Sequence, residues 1–86
     1  MSDLKKIALD ARELEYPKPL ELAIKALREL DKESYFYMMH RKNPIPLLDL
    51  AREQNFQVLS REDAEKEWHI LICKNPHINL TELLNV

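Results

Sequence analysis

The run His40-Arg41-Lys42-Asn43-Pro44-Ile45-Pro46-Leu47-Leu48, continued to Asn55-Phe56, constrains the fold of this chain more than any other stretch. Proline has no backbone N–H and a φ fixed near the helical value. It therefore suits the first turn of a helix and disrupts the interior of a helix or strand. The two prolines place a helix start here, with Asn43 expected as N-cap, Pro44 as first helical residue, and Leu47, Leu48 and Ala51 as the buried stripe. Asn55 falls where a helix is usually stopped by a left-handed residue. Before this run, Ser34-Tyr35-Phe36-Tyr37-Met38-Met39-His40 is bulky on both alternating faces, the pattern of a strand inside a sheet.

The same grammar occurs upstream. Pro17 and Pro19 open a segment in which Leu20, Ala23, Ile24, Leu27 and Leu30 recur at helical spacing, predicting a helix over residues 17–30 with Glu21 and Lys25 paired on its outer face. Residues 5–10 (KKIALD) alternate as a strand before it. Residues 56–61 (FQVLSR) alternate after the second helix. The acidic turn over 62–66 is too short for a crossover helix, so the next strand, 67–74, must return antiparallel. That strand puts Trp68, Ile70 and Ile72 on one face and His69, Leu71 and Cys73 on the other. Asn79 is expected to cap a short helix, with Glu82 three residues on and Ile78 stapled to Leu83. So short a helix must dock or fray.

The element order is thus β-α-β-α-β-β. It predicts an α/β (α+β) two-layer sandwich: a four-stranded mixed sheet, two helices on one face, and a short C-terminal helix. Residues 1–76 are read as a single domain and residues 77–86 as a tail carrying the short helix.

Composition removes several functions. The chain of 86 residues has no glycine, which excludes glycine-rich phosphate loops. Any turn needing positive φ is then expected to use Asn or Asp. Thirteen basic and fifteen acidic residues give a net charge of −2, unlike the basic surface of a nucleic-acid binder. A single cysteine, Cys73, allows no internal disulfide. No apolar run reaches the roughly 20 residues that span a bilayer, and residues 1–6 lack a secretory signal pattern. The reading is a cytoplasmic protein with no cofactor, no nucleic-acid or membrane partner, and a monomeric or weakly dimeric state.

Leu9-Asp10-Ala11-Arg12, Pro17-Lys18-Pro19-Leu20, His40 to Leu47 and a tryptophan entering the last strand resemble the bacterial domain-of-unknown-function family related to TusA and SirA. The resemblance covers roughly residues 5–74, and the two P-x-P-L segments carry most of it. It implies the β-α-β-α-β-β sandwich with strand order 1-2-4-3. TusA carries sulfur on a cysteine directly before the first proline of its C-P-x-P motif, and here that position is Tyr16. A phenol with a pKa near about 10 holds no persulfide. Sulfur transfer by that mechanism is therefore not expected.

The candidate site lies at the two helix starts. If both helices follow strands of one sheet, their N-termini share an edge and offer N–H groups and positive dipole ends. Arg12, Tyr16, Lys18, His40, Arg41 and Lys42 fall in the loops that lead there. The leading reading is a non-enzymatic binding or adaptor module for a small anionic ligand or a protein partner. Two other readings stand beside it: a sulfur-relay or redox-associated carrier using Cys73, and an interaction module using an open sheet face near Tyr35, Tyr37 and Met39. The tail could instead cover that face. His40 is a candidate proton carrier. His69 and Cys73 share a strand face but lie about 13 Å apart, too far to hold one ion. Glu13, Glu15, Glu62, Asp63, Glu65 and Glu67 are read as solvated charges.

Overall fold

A computed structural model describes residues 4–84. The order is β1 (Lys5–Asp10), α1 (Lys18–Glu29), β2 (Ser34–His40), α2 (Ile45–Glu53), β3 (Gln57–Glu62), β4 (Trp68–Cys73) and α3 (Leu80–Leu83). This is the predicted sandwich, with a four-stranded mixed sheet ordered β1-β2-β4-β3.

β1 pairs with β2 in parallel, and β4 pairs antiparallel with both β2 and β3. β4 therefore inserts between two strands that run the same way. Its burial explains the position. Ile70, Leu71, Ile72 and Cys73 are all buried, so the strand needs cover on both faces and takes a central place.

The helices cover one face of the sheet. Ala23, Ala26 and Leu27 from α1, Leu30 just after it, and Leu47, Leu48 and Ala51 from α2 pack on Phe36, Met38, Ile70 and Ile72. Ile24 lies at the margin of the α1 stripe, and Ala26 takes its place in the core. On the opposite face, Leu80 and Leu84 pack on Leu71 and Cys73, with Tyr35, Tyr37, Leu59, Ile78 and Leu83 around them. The tail thus closes one end of the face that could have stayed open. Asn79 caps α3 as expected, its side chain accepting from the Thr81 N–H at 3.1 Å.

Three local expectations are corrected. Asn43 does not cap α2: Pro44 holds the cap position, and the Asn43 amide oxygen instead accepts from the Ser60 hydroxyl at 2.7 Å. The cross-strand hydroxyl competes for the oxygen that would have turned back to the helix. In α1 likewise, Pro17 precedes the first helical residue, with no side-chain cap. Third, positive φ is not confined to Asn and Asp. Asn55 (φ 66°) ends α2 as predicted, but Lys66 (φ 66°) turns the chain between β3 and β4. A left-handed residue with a Cβ costs roughly 1–2 kcal/mol. The cost is offset by the turn's hydrogen bonds, with Lys66 N–H donating to Asp63 O and the Asp63 carboxylate accepting from Glu65 and Glu67 N–H.

Candidate functional site

Because β1 and β2 are parallel, the loops that leave them emerge at one edge of the sheet, and α1 and α2 both begin there. Between the two starts lies a cavity of about 570 Å³, within the range that holds small organic ligands. Its apolar lining is Leu14, Leu20, Met38 and Leu47, with Pro19, Pro44 and Pro46. Its polar lining is Glu15, Tyr16, His40, Arg41, Lys42 and Asn43. Tyr16 stands at the mouth, 83% exposed.

Four of the six residues read from the sequence therefore meet at this cavity: Tyr16, His40, Arg41 and Lys42. Lys18 is exposed and is not among the lining residues. Arg12 lies in a second, polar cavity beside Asp10, Glu13, Leu14, Arg41 and Glu67. There its guanidinium is already satisfied, donating to Asp10 at 2.7 and 2.8 Å and to Glu67 at 3.1 Å. That contact, together with the Arg12 N–H, holds the Asp10 carboxyl down to about 2. Arg12 is thus neutralised within the fold, and Glu67 is one of the carboxylates it uses.

The helix starts themselves offer less than expected. Of the four N–H groups that a helix leaves unpaired at its start, proline removes two in each case. Pro17 and Pro19 do so in α1, and Pro44 and Pro46 in α2. A third is spent on the preceding turn: Lys18 N–H donates to Glu15 O at 2.9 Å and Ile45 N–H to Asn43 O at 2.9 Å. This leaves the third helical residue of each, Leu20 and Leu47, and both line the cavity. His40 adds no fixed charge. Burial, then Arg41 and Lys42 beside it, push its pKa below the ordinary value, and its Nδ1 accepts from the Arg41 N–H at 2.9 Å. The cationic character of the mouth rests on Arg41 and Lys42, opposed by Glu15.

A second polar constellation escaped the sequence reading. On the sheet face away from α1 and α2, the Tyr37 hydroxyl lies 2.6 Å from His69 Nδ1, and His69 Nε2 lies 2.7 Å from Asp63 Oδ2. An ionised carboxylate only accepts, so in the neutral ring Nε2 carries the proton and Nδ1 accepts from the phenol. The two rings stack with centroids 5.9 Å apart, and Lys6 Nζ sits 4.8 Å from the Tyr37 centroid. With both ring nitrogens engaged, His69 has neither lone pair nor proton to spare. Asp63 is correspondingly no solvated charge. The hydrogen bond from His69, then that from the Glu67 N–H, lowers its pKa.

The sign of the Asp63 effect is set by this direction. A carboxyl whose folded pKa lies below its unfolded value stabilises the fold fully above the unfolded value and ceases to do so as pH falls through the folded one. Urea unfolding of wild type and Asp63→Asn should give a constant stability gap above roughly pH 5, narrowing below about pH 4. A gap that widened in acid would overturn the assignment.

Cys73 is buried beneath the tail, its thiol donating to Asn75 O at 3.4 Å and its pKa pushed up by burial. A buried thiol held protonated is poorly suited to sulfur transfer. Among the described residues, no group of three or more His, Cys, Asp or Glu is placed to hold a metal ion, and no helix is long and apolar enough to cross a membrane.

No curated protein and no solved structure matches this chain. A family model described as an uncharacterized conserved protein, DUF2249, matches residues 8–74, and the chain belongs to that family.

Proposed function

We propose that this member of the DUF2249 family is a non-enzymatic binding module that takes an anionic ligand in the cavity between its two helix starts. The observation that carries the reading is the cavity itself, set between the two helix starts with Arg41 and Lys42 at its mouth. Arg41 and Lys42 supply the charge, and the aligned peptide dipoles of the two helix starts add to it. The chemistry is recognition; the lining contains no nucleophile paired with a base.

We further propose that the family is related to TusA and SirA. The paired P-x-P-L segments and the strand order β1-β2-β4-β3 support the relation. A cytoplasmic location fits a chain with one cysteine and no internal disulfide. The sulfur-carrier alternative has no support at Tyr16, which replaces the carrier cysteine, or at Cys73, which is buried.

Titration of the ¹⁵N-labelled chain with phenyl phosphate, and with inorganic phosphate as the weaker probe, tests the proposal. Amide shifts of residues 16–20 and 40–47 should move together and saturate. The double variant Arg41→Ala/Lys42→Ala should weaken binding by roughly ten- to a hundredfold, the loss of one or two charge-assisted hydrogen bonds. If neither anion moves these residues at millimolar concentration, the module reading is wrong.

A further inference from the structure

The cavity is built for more than a point charge. Seven of its lining residues are leucine, methionine or proline; Leu14, Leu20, Pro44 and Pro46 keep accessible surface, and Met38 and Leu47 are fully buried behind them. A cradle for inorganic phosphate needs several converging N–H donors. Here the doubled prolines remove four of them outright, and the turns at Glu15 and Asn43 use two more. The positive charge is also sparse and peripheral, two cations against Glu15 at the mouth. A compact, strongly hydrated anion would lose more hydration in this site than two amides return.

The mouth has a complementary feature. Tyr16 and Ile45 are the exposed large hydrophobic residues among those described, at 83% and 50%. They flank the starts of the two helices, and Tyr16 lines the cavity. An aromatic ring held in solvent above an apolar hollow is a stacking surface for a flat ligand.

The geometry points to an aromatic organic anion as the ligand class: a flat apolar body seated on Leu14, Leu20, Pro44 and Pro46 under Tyr16, with one carboxylate or phosphate directed outward to Arg41 and Lys42. The apolar floor provides most of the affinity and the cationic mouth sets orientation. Inorganic anions are poor ligands because they use only the mouth. This inference rests on the anion-binding reading of the same cavity and specifies the rest of the ligand.

Four probes of the intact chain separate the possibilities: inorganic phosphate, 2-naphthyl phosphate, 2-naphthoate and the neutral 2-naphthamide. Calorimetry and amide shifts should show both naphthyl anions binding at least tenfold tighter than inorganic phosphate and at least tenfold tighter than the amide. Tyr16→Ala should cut affinity for the naphthyl anions severalfold while leaving that for inorganic phosphate unchanged. Tyr16 is exposed, so the variant keeps its fold, and thermal unfolding checks that it does. Phosphate binding as tightly as the naphthyl anions would overturn the aromatic class while leaving the anion module standing. The amide binding as tightly as 2-naphthoate would overturn the role of the cations. Silence with all four would remove the anion module together with this inference. Equal affinities before and after Tyr16→Ala would overturn the stacking role.

Discussion

Leu80→Ala is expected to destabilise the chain by roughly 2–4 kcal/mol and to turn Cys73 from an inert thiol into a reactive one. Leu80 is the most buried residue of α3, packed with Leu84 on Leu71 and Cys73. The helix has four residues, too few to persist without its docking surface. Its main anchors are the two leucines and the Gln57 amide, which donates to Asn75 O at 2.9 Å and Ile78 O at 2.8 Å. Removing the more buried of the two leucines leaves the segment held by Gln57, Leu84 and the partly buried Ile78 and Leu83. Local opening then precedes global unfolding. A thiol reagent under native conditions reads this directly: Cys73 in wild type should react only at the rate of global unfolding, and in the variant at least tenfold faster. Thr81→Ala, at an exposed site on the same helix, is the control and should change neither rate nor stability by much. Equal thiol rates in wild type and Leu80→Ala would mean that α3 does not guard Cys73.

The fold was legible because the sequence is locally consistent. Every strand and helix sits within a residue or two of where period and punctuation place it. Proline at both helix starts, Asn55 at a helix stop and Asn79 at a cap are backbone signals that need no tertiary knowledge. What stayed hidden was set across strands. The insertion of β4 between β2 and β3 follows from a strand apolar on both faces, Trp68-His69-Ile70-Leu71-Ile72-Cys73, whereas local periodicity alone implies only an antiparallel return. Asn43 was misplaced because its competitor, Ser60, arrives from β3.

The site was legible as a location and less so as chemistry. Parallel β1 and β2 bring Tyr16, His40, Arg41 and Lys42 together, as the loop positions suggested. Local spacing did not show that Arg12 finds Asp10 and Glu67, since Glu67 is 55 residues away. Nor did it show the Tyr37–His69–Asp63 chain, whose members come from two strands and a turn. The weakness of the amide cradle, by contrast, was readable from the start. P-x-P at a helix start deletes two donors wherever it occurs. The same prolines that announce the helices limit what their N-termini can bind, and this shifts the ligand from a bare anion toward one with an apolar body.

Phe36→Ala should be the most damaging single substitution, at roughly 3–5 kcal/mol. Phe36 is wholly buried at the middle of β2, opposite Ile7 on β1 and Ile72 on β4, under both helices. Its removal opens a ring-sized void at the junction of both layers, where neighbours fixed in a sheet relax little. A domain of 86 residues has a total stability of roughly 4–13 kcal/mol, so the variant sits near the edge of folding. Thermal unfolding should fall by roughly 15–30 °C. The neighbouring Tyr37 gives the contrast, because alternation turns it to the other face. Tyr37→Phe keeps the ring and its packing and removes only the donor to His69 Nδ1, at a cost of about 1–2 kcal/mol. A double-mutant cycle of Tyr37→Phe with His69→Phe should return a coupling of about 1 kcal/mol, whereas Phe36→Ala with His69→Phe should be additive because the two residues share no partner. If Phe36→Ala unfolds at the wild-type temperature, the buried face of β2 has been assigned wrongly, and with it the register that carries Met38 to the floor of the cavity.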